Sequence, residues 1–597
     1  MFKPRVVAAI DFGTHGSGFA WTVMEEGNQD ARHRRINFCN RWDAQPVACP
    51  KNLSALLVNN AGDVVAWGFD ARRKWTMLRA DRSTPGGLAY HAAFKMDLMP
   101  VADGTNGLPD ADEEDQDVLE GDEGKGQFAE PGDSFTPGLV TEYLRQLYRR
   151  ALEHITGSGY DEDEIRWCLT VPAIWTDYLK MVMRECARNA GMPSEDGRLL
   201  LALEPEAAAH YARVSGVCVG PGNEESANLM APGARFMVVD CGGGTVDITA
   251  YRNDHGGRMV EIGRANGGRL GSDYLNRAFE EQLLVSRFGN AEVLARLKVA
   301  CPEALLDLVD AWERAKLHIT ADQDDPIYLN IPAMVDRRLD PEARKRLSRI
   351  QDGIDDAIVV SPDEVRAIFD NVVPDILGRI EEQYSVMRAC SAGDDASDVI
   401  LLAGGFGTSP YLQQVVRERF EGRATVLVPP DPSIAVLFGA VHFCYEPHTR
   451  ARRSRFTYGC RTVPLFQRGV DRQEYRFRAA DGRVRCRNRF SVLVSAGDTV
   501  DSDAEVIHVY HPIGKSQNAL TLQLFATSDP EPRYVTGDGC DEVGSIRVDL
   551  GKVMRFPVKE RGVRLHMRFG ETEIRARAIV MRTGEEIEAT VRFHSNY

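Results

Sequence analysis

Short apolar runs that end at an aspartate and a glycine turn organise the first two thirds of the chain. Val6-Val7-Ala8-Ala9-Ile10 leads into Asp11-Phe12-Gly13-Thr14-His15-Gly16-Ser17-Gly18, and residues 19–23 again read as a strand. Residues 236–239 lead likewise into Asp240-Cys241-Gly242-Gly243-Gly244-Thr245-Val246-Asp247, where Asp247, Ile248 and Thr249 resume the alternation of a strand. Two such units about 230 residues apart predict two similar halves that face one ligand. Buried-strand runs recur at 199–203 and 399–402. Helices are predicted over 136–154, capped by Thr136 with Pro137 behind it, and over 176–190, stopped by Gly191. A long helical excursion covers 273–319; Thr408-Ser409-Pro410 opens a helix to about Phe420, and 432–440 reads as a close-packed helix with a small-residue face.

Past a polar stretch at 446–455, read as a linker, the pattern changes to period two. Runs at 491–495, 506–510, 520–526, 545–550, 563–568 and 587–593 predict an antiparallel β domain. The boundaries this gives are 1–195, 196–446, a linker at 447–455, and 456–597.

The turns carry the candidate chemistry. Successive glycines let backbone N–H groups crowd around an anion, as phosphate-cradling turns do. Asp11 and Asp240 beside phosphates repel them unless a cation stands between. Mg²⁺ suits that place, because it keeps several waters for carboxylates to hold while it binds phosphate oxygens. Glu204-Pro205-Glu206-Ala207-Ala208-Ala209 sets Pro205 in a first helical turn and Glu204 at the helix mouth. Glu204 is a third holder of the hydrated ion or, as the plainer alternative, an acid favoured there by the helix dipole. Ala403-Gly404-Gly405-Phe406-Gly407 forms a glycine shelf on which a flat nucleobase or ribose can approach the backbone.

In this order the elements resemble the 70-kDa heat-shock chaperones of the actin-like ATPase superfamily, and within them the atypical branch numbered 12 in mammals. The resemblance rests on residues 11–18, Leu169-Thr170-Val171-Pro172-Ala173, Glu204-Pro205, Asp240 to Asp247, Gly268-Arg269-Leu270-Gly271-Ser272-Asp273-Tyr274 and Gly404-Gly405-Phe406 with Ser409-Pro410. It extends to the tail, in Arg533-Tyr534-Val535-Thr536 and Met567-Arg568-Phe569-Gly570-Glu571-Thr572-Glu573-Ile574. It implies an α/β fold of two lobes, duplicated ribonuclease H-like domains, with ATP or ADP and Mg²⁺ between them, and a substrate-binding-like β domain after them. Asp11, Glu204 and Asp240 would hold the metal through water. Gly13, Thr14, His15, Gly242, Gly243, Gly244 and Thr245 would line the phosphates, with Asp240 or Thr245 orienting the attacking water. Gly271 and Ser272 would also bind the nucleotide, and Lys316, Thr320, Gly404, Gly405 and Phe406 would meet its nucleoside side; helix periodicity alone makes Lys316 a solvated-face residue.

Departures from the family pattern bear on turnover. The family's catalytic lysine appears as Arg72, in Gly68-Phe69-Asp70-Ala71-Arg72, which keeps charge but exchanges a compact ammonium for a planar fork. His15 stands for a second threonine, Leu317 for an adenine-stacking arginine, and Phe406 for a small polar residue on the nucleoside shelf. Neither a leucine-rich acidic linker nor a helical lid is found by the resemblance.

Composition fits a large cytosolic protein. The 597 residues suffice for two lobes and a further domain, and neither a secretory signal nor a membrane-spanning apolar run is read. The 12 cysteines lack any C-x-x-C pair, which favours reduced core thiols. Charge is uneven: residues 103–133 hold 12 acids and one lysine, a solvated acidic insertion, whereas 450–489 hold 13 arginines against three acids. Arg476, Arg478, Arg483, Arg485, Arg487 and Arg489 alternate around Ala480-Asp481-Gly482, which predicts one basic face of a hairpin. A solvated strand face is the plain reading; an acidic or peptide partner is the next, and nucleic acid fits less well because aromatic interleaving is thin.

Two functions follow. One is a Mg-ATP-binding, slowly hydrolysing, chaperone-like protein that couples nucleotide state to a protein or peptide client, with a co-chaperone or dedicated partner. The other is a nucleotide-occupied scaffold that binds one partner through the β domain and basic hairpin. A small-molecule kinase of the same superfamily fits the C-terminal β domain poorly, and a filament former is a further alternative.

Overall fold

The computed structural model describes residues 2–25, 31–80, 87–99, 135–195, 197–215, 229–390, 398–447, 449–479, 481–589 and 591–594. The acidic insertion at 103–133 lies outside them. Among the described residues no helix is long and apolar enough to cross a membrane.

Two mixed sheets repeat one design. In the first, Val6–Asp11 pairs antiparallel with Gly16–Val23 and parallel with Ile165–Val171, which pairs parallel with Leu199–Leu203. In the second, Arg235–Cys241 pairs antiparallel with Val246–Asn253 and parallel with Asp398–Ala403, which pairs parallel with Thr425–Leu427. Each adds an antiparallel strand beyond its hairpin, Asn37–Phe38 in the first and Met259–Gly268 in the second. The central strands are buried along their length except at half-buried Arg166, which is why their sequences are near-continuous apolar runs. The hairpins correspond in register: Asp11 lies opposite Gly18, and Asp240 lies opposite Asp247. The second hairpin therefore carries an acid where the first has only glycine.

A helix follows the outer parallel strand of each sheet, Glu204–Ser215 in the first unit and Ala435–Tyr445 in the second. The two cross backbone to backbone. A Cβ on Gly439 would lie 1.7 Å from the Ala207 carbonyl oxygen, so the small-residue face serves this crossing. Elsewhere the helical pattern shifts in detail. Phe135–Thr156 begins before Thr136, which is therefore inside the helix and not its cap, whereas Thr176 does cap Asp177–Asn189, accepting from the Leu179 amide. The excursion at 273–319 is broken, because Gly289 adopts φ 118° and Pro302 starts a new helix, Pro302–Lys316.

The C-terminal region has two larger antiparallel sheets around one core. Five strands run in the order Arg489–Val494, Thr457–Thr462, Ala519–Thr527, Cys540–Asp549, Val591–Phe593; four run Val506–Tyr510, Val563–Arg568, Arg575–Val580, Glu586–Ala589. This core packs on the helix Asp177–Asn189 through Tyr178 and Met181. Tyr458 donates to Asp177 (2.8 Å), Arg184 grips the Glu573 carboxylate with two nitrogens, and Arg455 donates to the Trp175 carbonyl (3.0 Å).

The stretch read as a linker is a strand instead. Thr449–Arg453 pairs parallel with Met259–Gly268 and antiparallel with Thr499–Asp501, so the second sheet runs on into the C-terminal region. Its polar sequence hides the burial because the charge is matched inside: Arg452, 9% exposed, pairs with Glu206, 1% exposed. Glu261 beside them is pushed up to about 7 by burial, against the pull of Arg452.

The basic hairpin also differs from expectation. Arg476–Arg478 and Val484–Cys486 do pair, but Arg476 lies opposite Cys486, Phe477 opposite Arg485, and Arg478 opposite Val484. Directly opposed residues share a face, so Arg476 and Arg478 point to one side and Arg485 to the other. The period within each strand holds; the register between them divides the charge.

Candidate functional site

The two glycine hairpins meet. A Cβ on Gly244 would lie 2.8 Å from Thr14 Oγ1, one on Gly243 would lie 2.4 Å from His15 Nδ1, and His15 Nε2 is 2.5 Å from Asp273 Oδ1. The second turn is held from behind: the amides of Gly271, Ser272 and Asp273 donate to the carbonyls of Gly244, Gly242 and Gly243. A Cβ on Gly271 would meet the Gly243 carbonyl at 2.1 Å, so this backing needs glycine. With their carbonyls engaged, the Gly243 and Gly244 amides donate to no backbone acceptor among the described residues, the arrangement an anion-binding turn requires.

Four buried carboxylates converge at the strand ends behind these turns: Asp11, Glu204, Asp240 and Asp247, between 1% and 8% exposed. Two ammonium groups reach them. Lys51 Nζ is 2.7 Å from Asp11 Oδ2, while Asp11 Oδ1 accepts from the Thr170 hydroxyl at 2.9 Å. Lys95, 4% exposed, contacts Glu204 Oε1 at 2.6 Å. Asp247 Oδ1 accepts from the Ile174 amide at 2.8 Å; its Oδ2 and Asp240 Oδ1 have no hydrogen-bond partner among the described residues.

The electrostatics follow from this imbalance. Burial pushes Asp11 up, but Lys51 and then Lys95 outweigh it and hold the carboxyl below its ordinary range. Glu204 is pushed up to about 7 by burial, with Lys95 opposing and Asp247 and Asp11 adding to it. Burial, then Glu204, Asp247 and Asp11, drives Asp240 well above the usual carboxylate value, and burial raises Asp247. Four acids against two lysines, with one oxygen of Asp240 unpartnered, make an oxygen-rich site short of positive charge. A hydrated hard divalent cation fits that donor set.

The remaining residues of the expected site divide. Thr245 is 7% exposed, and its hydroxyl draws the Asp247 pKa down against the push of burial. Gly404 takes φ 80°, and a Cβ there would lie 2.5 Å from Asp240 Oδ1, whereas a Cβ on Gly405 meets nothing within 4 Å. Lys316 is not on a solvated face: it is 4% exposed and donates to Asn276 Oδ1 (3.0 Å) and the Ser272 carbonyl (3.3 Å) beside Glu313 (2.8 Å). Thr320 lies half-buried just beyond that helix. Phe406 does not offer its ring to a nucleoside shelf, since it is 4% exposed and packs toward Phe369, with ring centroids 6.5 Å apart. Gly405 alone is the open surface there.

Arg72 is not brought to the acids. Its guanidinium spans to the helix Pro302–Lys316, 2.9 Å from Asp310 and 3.3 Å from Asp307. The cations at the carboxylates are Lys51 and Lys95, which sequence reasoning missed along with Thr170. Lys95 carries a faint signal, a lone charge inside the apolar run Ala93-Phe94-Lys95-Met96. Lys51 carries none.

Comparison with known proteins agrees with this architecture. Residues 231–429 match a family described only as a domain of unknown function, DUF8340. Heat shock 70 kDa protein 12B of Homo sapiens is 29% identical over 99% of this chain and 91% of its own length. Heat shock 70 kDa protein 12A of Mus musculus is 27% identical over 98% and 91%. The chaperone protein dnaK1 of Prochlorococcus marinus (strain MIT 9313) is 27% identical over 50% of this chain and 38% of its own. The duplicated sheets, the facing glycine hairpins and the near-full-length similarity together make the chain a homologue of the heat shock 70 kDa proteins 12A and 12B, within reach of the wider 70-kDa heat-shock chaperones.

Proposed function

We propose that this protein is a Mg-ATP-binding, slowly ATP-hydrolysing, chaperone-like protein that couples nucleotide state to partner or peptide binding. The observation that carries the reading is the apposition of two glycine hairpins over four buried acids with an unpartnered Asp240 oxygen. Residues 1–195 and 196–446 are then the two lobes of an actin-like ATPase, and 456–597 the β domain, with the strand Thr449–Arg453 joining them. Its free cysteines suit a reducing, cytoplasmic setting.

Asp11, Glu204 and Asp240 would hold Mg²⁺ through its waters. When bound, the ion would neutralise phosphate charge and polarise the terminal phosphoryl group. The Gly243 and Gly244 amides and the Thr14 and Thr245 hydroxyls receive phosphate oxygens. Lys51 and Lys95, whose ammonium groups are paired with Asp11 and Glu204, supply the positive charge assigned by resemblance to Arg72. Asp240 or Thr245 orients the attacking water, so that the protein contributes position and electrostatics and no covalent step. Lys316, Thr320 and the open backbone at Gly405 border the nucleoside side.

Single-turnover hydrolysis of γ-labelled ATP with Mg²⁺, wild type beside Asp240→Asn, tests the reading. A fall of tenfold or more, about 1.4 kcal/mol of barrier, supports it. ATP bound but intact over hours defeats the hydrolytic half and leaves a nucleotide-occupied scaffold. That second reading is favoured by Arg72, which is committed to Asp307 and Asp310 and not to phosphate.

A further inference from the structure

The arginines of the C-terminal region are arranged on aromatic rings. The Arg487 guanidinium lies 5.0 Å from the centroid of Phe477, and that of Arg476 lies 5.9 Å from Phe466. Around Tyr534 stand three, Arg472 at 5.3 Å, Arg489 at 5.8 Å and Arg533 at 5.9 Å, and Tyr475 meets the same ring edge-on at 4.9 Å. Tyr534, Arg472 and Arg533 also line a cavity of about 180 Å³, together with Thr527, Thr536, Asp529 and Asp538.

Internal acids account for only part of this charge. Arg489 is met by the buried carboxylate of Asp471 at 2.8 Å, and Arg485 by Asp481 at 2.6 Å. Arg472 has Glu474 at 3.5 Å, where both side chains are more than half exposed and solvent weakens the pair. Arg468, Arg476, Arg483, Arg487 and Arg533 have no carboxylate partner among the described residues, and all are exposed.

We infer that this arginine–aromatic surface is a docking site for an Asp- and Glu-rich segment of a partner polypeptide, with one carboxylate seated between Arg472 and Arg533. Stacking on a ring holds a guanidinium flat and fixes its plane, so the N–H fork is presented in advance to a planar acceptor. Carboxylates match that fork with two parallel hydrogen bonds. The division of the hairpin's charge between its faces suits an extended peptide that wraps the edge better than a flat polyanion. Nucleic acid fits less well, since a single strand needs free aromatic faces for its bases. Here guanidiniums lie over the faces of Phe466, Phe477 and Tyr534. This inference gives the scaffold reading a partner chemistry and needs no nucleotide in its test, so its failure leaves the nucleotide reading standing.

The test is fluorescence anisotropy of a labelled twelve-residue peptide of alternating Glu and Gly on the full-length protein without nucleotide, at low and at physiological salt. A glutamine-for-glutamate peptide and a single-stranded DNA of equal charge run beside it. The Glu peptide is expected to bind saturably and to weaken with salt, while the Gln peptide does not bind. Arg476→Gln with Arg487→Gln, both exposed positions, is expected to weaken it about tenfold through loss of charge-assisted contacts, and Arg533→Gln to do so alone. Phe477→Leu keeps every charge but removes a platform, and is expected to weaken binding while the melting temperature holds. Absence of saturable binding, affinity unchanged in the arginine variants, or tighter binding of the DNA overturns the proposal.

Discussion

His15 and Asp273 clasp the two hairpins across their mouth: the imidazole Nε2 of the first unit lies 2.5 Å from the carboxylate of the second. Burial works against the imidazolium, but the hydrogen bond and charge of Asp273, with Glu313 behind it, raise the His15 pKa above its ordinary 6.5 despite Lys316 nearby. A group whose pKa is raised on folding stabilises fully below its unfolded value and loses that contribution as pH climbs through the folded value. Wild type is therefore expected to melt higher than His15→Gln below pH 6.5, with the gap closing as pH rises beyond the folded pKa; a gap constant across a pH series would sink the clasp.

Asp240 gives the opposite sign. Its raised pKa means that ionisation opposes folding, so the acid costs nothing below its ordinary 3.8, costs progressively more as pH climbs from there to the folded value, and costs a constant amount beyond it. Asp240→Asn is expected to match wild type in melting temperature only below the ordinary carboxyl value of 3.8, to gain on it as pH rises toward the folded value, and to keep that margin in alkali without Mg²⁺, while hydrolysis is lost. Adding Mg-ATP should shrink the alkaline advantage; equal melting curves throughout would show that Asp240 carries no unfavourable charge.

Lys95 and Arg72 separate by function. Lys95→Gln is expected to slow single turnover about a hundredfold, the size seen when one preorganised charge contact to a transition state is removed. Arg72→Gln is expected to leave the rate within about twofold and to cost about 1 kcal/mol or less, because Asp307 and Asp310 are half exposed. A reversed pattern would return Arg72 to the phosphate.

Neighbouring glycines at 404 and 405 should respond differently to alanine. Gly404→Ala places a Cβ 2.5 Å from Asp240 Oδ1 at φ 80°, and is expected to weaken nucleotide binding and cost about 1 kcal/mol or more. Gly405→Ala enters open space and is expected to leave the fold unchanged. Isothermal titration with ADP and urea unfolding read the two effects.

The buried pair at the strand Thr449–Arg453 makes a stability test. Arg452→Met leaves Glu206 and Glu261 buried without their cation, and about 3–5 kcal/mol of destabilisation is expected in chemical unfolding. Arg450→Met, half exposed, is the neutral comparison.

Sequence patterning reached the elements that rest on local rules. Val506–Tyr510 and Val563–Arg568 match their predicted runs, and the Ser409 cap and Pro410 start the helix Pro410–Arg419 as expected. Asp11 and Asp240 come from strand ends, where a run of apolar residues stops at a charge. What the sequence concealed is set by tertiary partners. Lys51 reaches Asp11 from a loop with no motif, the face of each hairpin arginine depends on register, and Thr449–Arg453 passes for a linker because its buried guanidinium is matched 246 residues away in Glu206. Phe406 misleads for the same reason: a shelf position says where the backbone lies, and only the neighbouring Phe369 says where the ring goes.

Glu204 and Glu206 stand two positions apart on the first turn of one helix and so point to different sides of it. One meets Lys95 among the acids; the other grips Arg452 and Thr449 in the strand that leads into the C-terminal sheets. That single helical turn is thus pinned at both ends by buried charge, and the carboxylate site and the strand leading into the C-terminal sheets share one anchor.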